Sequence, residues 1–220
     1  MSNQSKTPRS AGRNGKSFLR KRPYRLVRRL EKSDSTRSAL LQAAKLRLEQ
    51  SGYESVTMES LASDTGVTRQ TVHNLFGTKM RLIDALFDEI ALTGGLHRLG
   101  EVMSKHDPRL MLREFVNVFI GFWTKHRLFI RRIHGIAAID PEFGKVVEAR
   151  NRRRQMAASR VVGLLDDTLG VRHDELQRAR RIALLHSLTS FEFFDVLAAN
   201  LPDSDLEKEV LAVVEKCVVE

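Results

Sequence analysis

The sequence predicts an all-α fold, and three observations support this prediction. From Asp34 onward, apolar residues recur at the three- and four-residue spacing of amphipathic helices. Helix-capping residues precede these apolar segments, and glycine follows several of them. No stretch shows the sustained two-residue alternation rich in Val, Ile and Thr that is typical of strands. We therefore expect helices throughout and essentially no sheet.

The first 33 residues differ from the rest of the chain in charge. Residues 1–33 contain eleven Lys or Arg and one acid, Glu31, whereas residues 34–220 contain 26 basic and 26 acidic residues. Few large apolar residues precede Leu26, so we expect a disordered basic arm. The arm is either a solubilising extension or a contact to nucleic acid. Its concentrated positive charge favours the second, because such a segment releases counterions from phosphate.

Four helices are expected between residues 34 and 95. The first has an apolar face that includes Leu40 and Leu48, and it should end at Gly52. The next three should begin at threonine N-caps and be separated by glycines, namely Thr57, Gly66, Thr68, Gly77 and Thr78. The apolar pairs Val56 with Leu61 and Val67 with Val72 stand at hydrophobic-staple positions.

Four N-cap signals mark the later helices. Asp107-Pro108 and Asp140-Pro141 each place an N-cap before a proline at the first helical position, and the second of these helices should run to Gly170. Two pairs have capping-box spacing and should open the last two helices, namely Asp174 with Gln177 and Ser204 with Glu207.

Residues 58–76 have the pattern of a helix-turn-helix. Ala62 is small enough for two short helices to cross closely, and Gly66 tolerates the positive φ of the turn between them. Leu61, Val67 and Val72 fill the space between the helices. The alternative is a surface helical hairpin with a solvated polar face. Several positions match the helix-turn-helix pattern together, and a basic arm precedes them in the sequence, so we favour the helix-turn-helix.

The third helix leaves a polar face that suits DNA. Its members are Thr68, Arg69, Gln70, Thr71, His73 and Asn74. Arginine can bond guanine bidentately, glutamine can do the same to adenine, and threonine can contact thymine. We expect phosphate contacts from Thr57, Thr71 and Lys79. Arginines of the arm are candidates for the adjacent minor groove, namely Arg20, Arg22 and Arg25.

The segment from Arg37 to Glu89 resembles the TetR family of regulators. The resemblance rests on Leu40-Leu41, Ala43-Ala44, Gly52-Tyr53, Thr57, Leu61-Ala62, Gly66-Val67, Thr71, Phe76, Lys79 and Leu82. Three residues depart from the family pattern. Arg47 stands where the family usually has an apolar residue, and His73 stands where it usually has a tyrosine that contacts phosphate. Leu75 occupies a position that is often histidine. The resemblance implies a homodimer with a three-helix DNA-binding domain, a linking helix and a divergent ligand-binding domain. We accordingly expect a helix-turn-helix domain over residues 34–82 and a ligand-binding and dimerisation domain over residues 83–220.

The helix after Pro108 concentrates aromatic residues and histidines. They are either ordinary core or, as the resemblance implies for this region, the lining of an inducer pocket: Phe115, Phe119, Phe122, Trp123, His126 and His134. We expect a small, apolar or aromatic effector. The histidines lack metal-ligand spacing, so no metal or cofactor is expected. The run Arg150 to Arg154 is interpreted as a solvated helix face rather than an anion site.

Two stripes near the C-terminus suggest helix pairing. One consists of small residues and the other of apolar residues: Ala179, Ala183, Ser187 and Ser190, then Leu206, Val210, Val213, Val214 and Cys217. They form either a four-helix interface with a second copy, as the family usually does, or contacts within the monomer. The single cysteine, Cys217, is interpreted as a small core residue rather than a redox sensor.

These features predict a sequence-specific, DNA-binding transcriptional regulator. The resemblance refines this to a repressor that binds a palindromic operator as a homodimer and is released by a ligand. No arrangement of residues suggests an enzyme. The alternative is a nonspecific, nucleoid-type DNA-binding protein, which the basic arm alone would support. Without a secretory signal or an apolar run of about 18 residues, we expect a cytoplasmic protein with no membrane partner.

Overall fold

The structure, a computed structural model, describes residues 21–105 and 107–219, and for residues 21–32 it describes the backbone alone. These residues form ten α-helices and no strand, which confirms the all-α prediction. The helices are α1 (Lys21–Ser51), α2 (Met58–Thr65), α3 (Arg69–Phe76), α4 (Lys79–Thr93), α5 (Leu99–Val102), α6 (Pro108–Ile139), α7 (Pro141–Leu169), α8 (Glu175–Leu188), α9 (Phe191–Leu197) and α10 (Asp203–Val218).

The chain divides into two units, residues 1–38 and residues 39–220. In the first unit, α1 begins at Lys21, so residues 21–33 are helical where the sequence predicts disorder. Pro23 falls within the first turn, where a helix needs no amide hydrogen from it, and good helix formers such as Arg and Leu follow. The remainder of the expected arm, residues 1–20, lies outside the described residues.

In the second unit, the predicted N-caps of α2, α3 and α4 are confirmed. The hydroxyls of Thr57, Thr68 and Thr78 each accept a hydrogen bond from the backbone N–H three residues later. Gly66 ends α2 in the left-handed conformation, with φ of 68°, as the predicted turn requires. The three helices therefore begin where local side-chain chemistry places them.

The later caps are confirmed with one exception. Asp107 and Asp140 cap α6 and α7, and Asp174 with Gln177 closes a capping box at α8. The predicted cap at Ser204 is wrong, because α10 begins at Asp203, directly after Pro202, and Ser204 lies inside the helix. Proline has a fixed φ and extended backbone here, so it starts the helix without a side-chain cap.

Two short helices are absent from the sequence prediction. One is α5, of four residues, and the other is α9. It spans only seven residues, which is too short for a periodic apolar pattern to be recognised. Ser190, assigned above to the small-residue stripe, is its N-cap and accepts a hydrogen bond from the Phe193 amide. The segment thereby turns Phe191 and Phe194 into the core.

The core of the C-terminal helices is built around α6. Its buried aromatic residues face two directions: Phe122 and Phe129 contact Phe87 of α4, and Trp123 contacts Phe191 of α9. The helix is interrupted at His126, whose φ of −122° and ψ of 21° are not helical. Because α6 also packs along α7, a space lined by α4, α6 and α7 forms beside these rings.

The two C-terminal stripes behave differently. Leu206, Val210 and Val214 are buried within the chain, whereas Val213 and Cys217 are exposed. The interpretation of Cys217 as a core residue is therefore wrong, because α10 turns this side chain away from α6 and α8. The small residues Ala179, Ala183 and Ser187 of α8 are exposed as well. Among the helices that the structure describes, none is both long and apolar enough to span a membrane.

Candidate DNA-binding and ligand-binding sites

Helices α2 and α3 form a compact helix-turn-helix. Leu61, Ala62, Val72 and Phe76 are buried between and beneath the two helices. The Val67 amide donates to the carbonyl of Ala62, which closes the turn around Gly66. This packing fixes which side of α3 faces away from the protein.

The exposed side of α3 carries the predicted base-reading residues. Arg69, Gln70, His73 and Asn74 are exposed, as is Thr68 at the N-cap. Arg69 pairs with Glu59 of α2 at 2.6 Å, and Gln70 donates to the amide oxygen of Asn74 at 2.7 Å. These exposed contacts hold the side chains in place weakly, since solvent screens such pairs.

The predicted phosphate-contacting residues lie around the ends of these helices. Thr57 and Thr71 are at the N-terminus of α2 and in the first turn of α3, and the Thr71 hydroxyl lies 2.9 Å from that of Thr68. The Lys79 ammonium sits 3.6 Å from the ring centroid of Tyr53 and 4.0 Å from a Glu54 carboxylate oxygen. Burial lowers the Lys79 pKa, and Glu54 partly offsets this effect.

The unusual Arg47 has a structural partner. Its guanidinium makes two hydrogen bonds to the carboxylate of Asp64 on α2, and this pairing lowers the Asp64 pKa. Arg47 therefore joins α1 to α2 through charge, where the family pattern has an apolar contact. A sequence search for a compensating acid on α2 would find Asp64.

The three arginines assigned to the minor groove cannot be placed at the side-chain level. Arg20 lies outside the described residues. Arg22 and Arg25 fall in the first turns of α1, where only the backbone is described.

A cavity of about 220 Å³ lies between α4, the turn at residues 96–98, α5, α6 and α7. Three predicted ligand-binding residues, Phe119, Trp123 and His134, line it. The other three, Phe115, Phe122 and His126, are buried elsewhere in the core and are not among its lining residues. The predicted set thus includes both residues that line the cavity and residues that are packed in the core. Helical spacing alone does not distinguish these two groups.

His126 is a buried polar group with no protein partner. Both ring nitrogens lack a hydrogen bond among the described residues. Burial, followed by the nearby charges of Lys45 and Lys125, lowers the His126 pKa to about 4. The ring is therefore neutral at physiological pH. It packs against Phe122 with a centroid separation of 5.2 Å.

Sequence reasoning missed the arginines of the cavity wall. Arg150 donates to Asp84 and Asp88 of α4, and its guanidinium lies 4.3 Å from the ring centroid of Phe87. Arg154 is buried, so the interpretation of this run as a solvated face is wrong for that residue, whereas Arg152 and Arg153 are exposed as predicted. The signal was present in the sequence, because Arg154 is in helical phase with Val147 and Val161 on the apolar side of α7.

His134 forms the link from the cavity wall to α9. Its Nδ1 lies 3.0 Å from a Glu192 carboxylate oxygen. The hydrogen bond from His134 lowers the Glu192 pKa to about 2. Within the described ranges, no three His, Cys, Asp or Glu side chains are grouped so that they could hold a metal ion.

Comparison with protein families gives one match. Residues 40–86 match the family described as bacterial regulatory proteins, tetR family. The matched segment contains the end of α1, all of α2 and α3, and the first half of α4. None of the curated protein sequences is a match to this chain.

Solved structures extend the likeness to the whole fold. A TetR transcription regulator from Haloarcula marismortui has 14% identity and a TM-score of 0.63, covering 84% of this chain and 97% of that one. A protein assigned as a transcriptional regulator from Saccharomonospora viridis, solved in complex with choline, has 16% identity and a TM-score of 0.62, covering 83% and 96%. A TetR-like regulator from Rhodococcus sp. RHA1 has 17% identity and a TM-score of 0.57, covering 84% and 96%.

Proposed function

We propose that this chain, a DNA-binding regulator of the TetR family, binds a palindromic operator as a homodimer and represses transcription until a small effector releases it. The observation that carries the proposal is the polar face of α3. Arg69 and Gln70 stand side by side on it, outside the packed core of the helix-turn-helix. Their side chains have the donors and acceptors that distinguish guanine and adenine in the major groove.

The contacts of these two side chains favour this role. Among the described residues, Arg69 and Gln70 bond to the exposed neighbours Glu59 and Asn74 alone, so DNA binding would exchange weak solvent-screened contacts for base edges. Thr57, Thr71 and Lys79 lie where helix N-termini can hold the phosphates on either side. Thr68 is committed to capping α3, so we assign it to positioning the helix.

The exposed faces of α8 and α10 support a dimer. Ala179, Ala183 and Ser187 allow close approach of a second helix, and Leu176 on α8 is 80% exposed. On α10, Val213 and Cys217 are the members of the predicted stripe that remain exposed and could contact a second copy. The other members are buried within the chain. A symmetric pairing through such faces would present two α3 helices to successive major grooves, roughly 34 Å apart.

The contacts of α4 suggest how an effector would act on DNA binding. A turn of two residues connects this helix to α3, and its Asp84 and Asp88 hold Arg150 of the cavity wall. An effector that moves α7 relative to α4 would therefore shift α3. Release requires only that the effector binds the shifted arrangement more tightly than the DNA-bound one.

The test begins by selecting a high-affinity site from random DNA with the purified protein. Arg69→Ala and Gln70→Ala should each cost about 1 to 3 kcal/mol on that site and relax the preference at one position in each half-site. Lys79→Ala is the control, because a lysine that binds phosphate supports binding to all sequences alike. Uniform effects of Arg69→Ala and Gln70→Ala on every sequence would contradict the assignment.

The same selection addresses the nucleoid-type alternative, which the basic N-terminal segment favours. A regulator should prefer its operator over random DNA by about 10³-fold or more. Selection without enrichment, or a single asymmetric half-site, would argue against the proposed palindromic operator and dimer.

A further inference from the structure

We propose that the effector carries a carboxylate on a small apolar body, and that Arg154 binds this carboxylate in the cavity between α4, α6 and α7. The inference rests on the proposed function, since it names the class of molecule that the regulator would sense. It replaces the expectation of a purely apolar or aromatic effector.

Arg154 is a buried cation that no carboxylate contacts directly among the described residues, and Glu192 acts on it only from a longer distance. Its side chain lines the cavity, and the residue is only 7% exposed. No carboxylate lies within 4.0 Å of it among the described residues. Burial lowers the Arg154 pKa to about 10, with a smaller opposing effect of Glu192, so the guanidinium remains charged at neutral pH.

The hydrogen bonds of Arg154 leave most of its donors unused. Nη1 donates to the His186 carbonyl and, at 3.4 Å, to the Thr189 hydroxyl. Through these bonds, Nη1 has a structural role, because it holds the end of α8. Nε and Nη2 make no hydrogen bond within the described part of the chain, and together they form the fork that binds a carboxylate bidentately.

A second buried arginine, Arg181, differs from Arg154 because a carboxylate of the chain pairs with it. Arg181 is 9% exposed, pairs with the carboxylate of Asp166, and donates from Nε to the Val218 carbonyl at 2.7 Å. Its charge and two of its three guanidinium nitrogens therefore have partners within the chain. An uncompensated buried charge is costly, and for Arg154 the missing partner fits the cavity that it lines.

The rest of the cavity defines the body of the ligand. Phe119, Trp123 and Val147 provide apolar walls next to the arginine end. The charged lining residues are Asp88, Arg150, Arg153 and Arg154, which is three cations against one anion. Arg150 is already paired with Asp84 and Asp88, so Arg154 is the cation best placed for an incoming anion.

The cavity volume limits the size of the ligand. About 220 Å³ lies below the range of roughly 300 to 1,000 Å³ that is typical of drug-sized ligands. An arylalkanoic acid or a medium-chain fatty acid matches this combination of size, apolar walls and one cationic end. A quaternary ammonium compound, such as the choline bound by the Saccharomonospora viridis protein, would meet repulsion here.

The experiment measures binding of matched probes to the full-length protein through the fluorescence of Trp123, the single tryptophan. The probes are phenylacetate, 2-phenylethanol and phenethylamine, together with octanoate, octanol and octylamine. The carboxylate of at least one series should bind roughly tenfold or more tightly than its alcohol, and the amine should bind most weakly. Equal binding of carboxylate and alcohol, a preference for the amine, or no carboxylate binding at millimolar concentration would overturn the proposal.

Two variants of α7 locate the site. Arg154→Met should lower carboxylate affinity roughly tenfold or more while leaving alcohol affinity unchanged or improved. Arg160→Met, on the exposed side of the same helix, should leave both unchanged. If Arg154→Met does not fold, Arg154→Lys keeps the charge without the fork and should still weaken carboxylate binding several-fold. Unchanged carboxylate affinity in the folded variant would overturn the assignment.

Operator binding separates this inference from the proposed function. Without any probe, the Arg154 variants should bind the selected operator as the unmodified protein does. Normal operator binding with no carboxylate preference would contradict the inference alone, whereas carboxylate binding without an operator would contradict the proposed function alone.

Discussion

Among single residues, Asp195 is a source of pH-dependent stability. Its carboxylate accepts hydrogen bonds from Arg127 at 2.6 Å and Arg131 at 2.8 Å, so it ties α9 to α6. Burial alone would raise the Asp195 pKa, but the hydrogen bonds from Arg131 and Arg127 together lower it. A carboxyl group with a lowered pKa in the folded state stabilises the protein above its unfolded pKa, about 3.9 for aspartate.

We predict that Asp195→Asn lowers the free energy of unfolding by about 1 to 2 kcal/mol at neutral pH, because two charge-assisted hydrogen bonds are weakened. The difference from the unmodified protein should shrink as the pH falls below about 4, where the native carboxylate becomes protonated. Thermal unfolding followed by circular dichroism at a series of pH values measures both effects.

The control for this prediction is Glu209→Gln. Glu209 is exposed on α10 and has no ion pair within 4.0 Å among the described residues. It should change stability little at any pH. A destabilisation by Asp195→Asn that is the same at neutral and acidic pH would show that packing, rather than the charge, is responsible.

Among the helices, the end of α4 depends on a close approach to α6. A Cβ atom added at Gly94 would lie 2.6 Å from the Ile90 carbonyl oxygen and 2.6 Å from Cδ2 of Phe122. The first atom belongs to a helix backbone and the second to a buried ring, so neither can give way easily. Absence of a side chain at Gly94 is thus what allows α4 to finish against Phe122.

We predict that Gly94→Ala destabilises the protein by about 1 to 3 kcal/mol through overpacking. Gly121, next to the same ring in sequence, is exposed within α6 and has no atom within 4 Å of an added Cβ. Gly121→Ala should therefore stabilise by about 0.5 to 1 kcal/mol, because alanine is the better helix former. Urea unfolding of the two variants should give effects of opposite sign, and shifts in the same direction would contradict this packing.

In the chain as a whole, the net positive charge lies in a different segment of the sequence from α3. Residues 34–95 contain six basic and eight acidic residues, a net charge of −2, while residues 1–33 carry +10. Long-range attraction to DNA must therefore come largely from the N-terminal segment. Where that segment is helical, phosphate contacts are favoured over minor-groove insertion, since a helix about 10 Å wide exceeds a groove about 6 Å wide.

We predict that deleting residues 1–33 weakens DNA binding at low salt and flattens the dependence of log K on log salt by about 0.9 for each phosphate that the segment neutralises. Deleting residues 1–20 alone removes five of the eleven basic residues and should have an intermediate effect. The preference for operator over scrambled DNA should survive both deletions. An unchanged slope would show that the segment does not contact DNA phosphates. Loss of all preference for operator over scrambled DNA would show that α3 does not recognise the base sequence.

The proposed coupling between the cavity and DNA binding would also be a property of the whole molecule. We predict that Arg150→Met retains operator affinity but loses most of the coupling to the effector, which is typically about 1 to 3 kcal/mol in such systems. Operator binding with and without the tightest-binding probe of the fluorescence panel measures this coupling. Arg152→Met is the matched control, since Arg152 is exposed and, within the described part of the chain, pairs with Glu148 of its own helix alone. If the probe still releases the operator fully from the Arg150→Met variant, the coupling does not pass through Arg150.

Local sequence was sufficient for the features that depend on residues a few positions apart. Threonine caps, the left-handed Gly66 and the polar face of α3 are local, because an N-cap bonds an amide three residues away and a helix repeats every 3.6 residues. They were enough to predict the all-α fold and the helix-turn-helix. The disagreements at Ser204 and α9 arose where proline starts a helix uncapped and where a helix is shorter than two periods of its pattern.

Tertiary packing, by contrast, selects which face of each long helix is covered. Arg154 and Cys217 both have ordinary helical sequence contexts, yet the arginine is buried and the cysteine exposed. Likewise, the partners of Arg150 and Arg127 lie more than 60 residues away. Such choices depend on how α4, α6, α7 and α9 pack together, and helical spacing identifies a face without saying what will cover it. The exposed polar face of α3 could therefore be predicted from the sequence, whereas the buried arginine of the cavity could not.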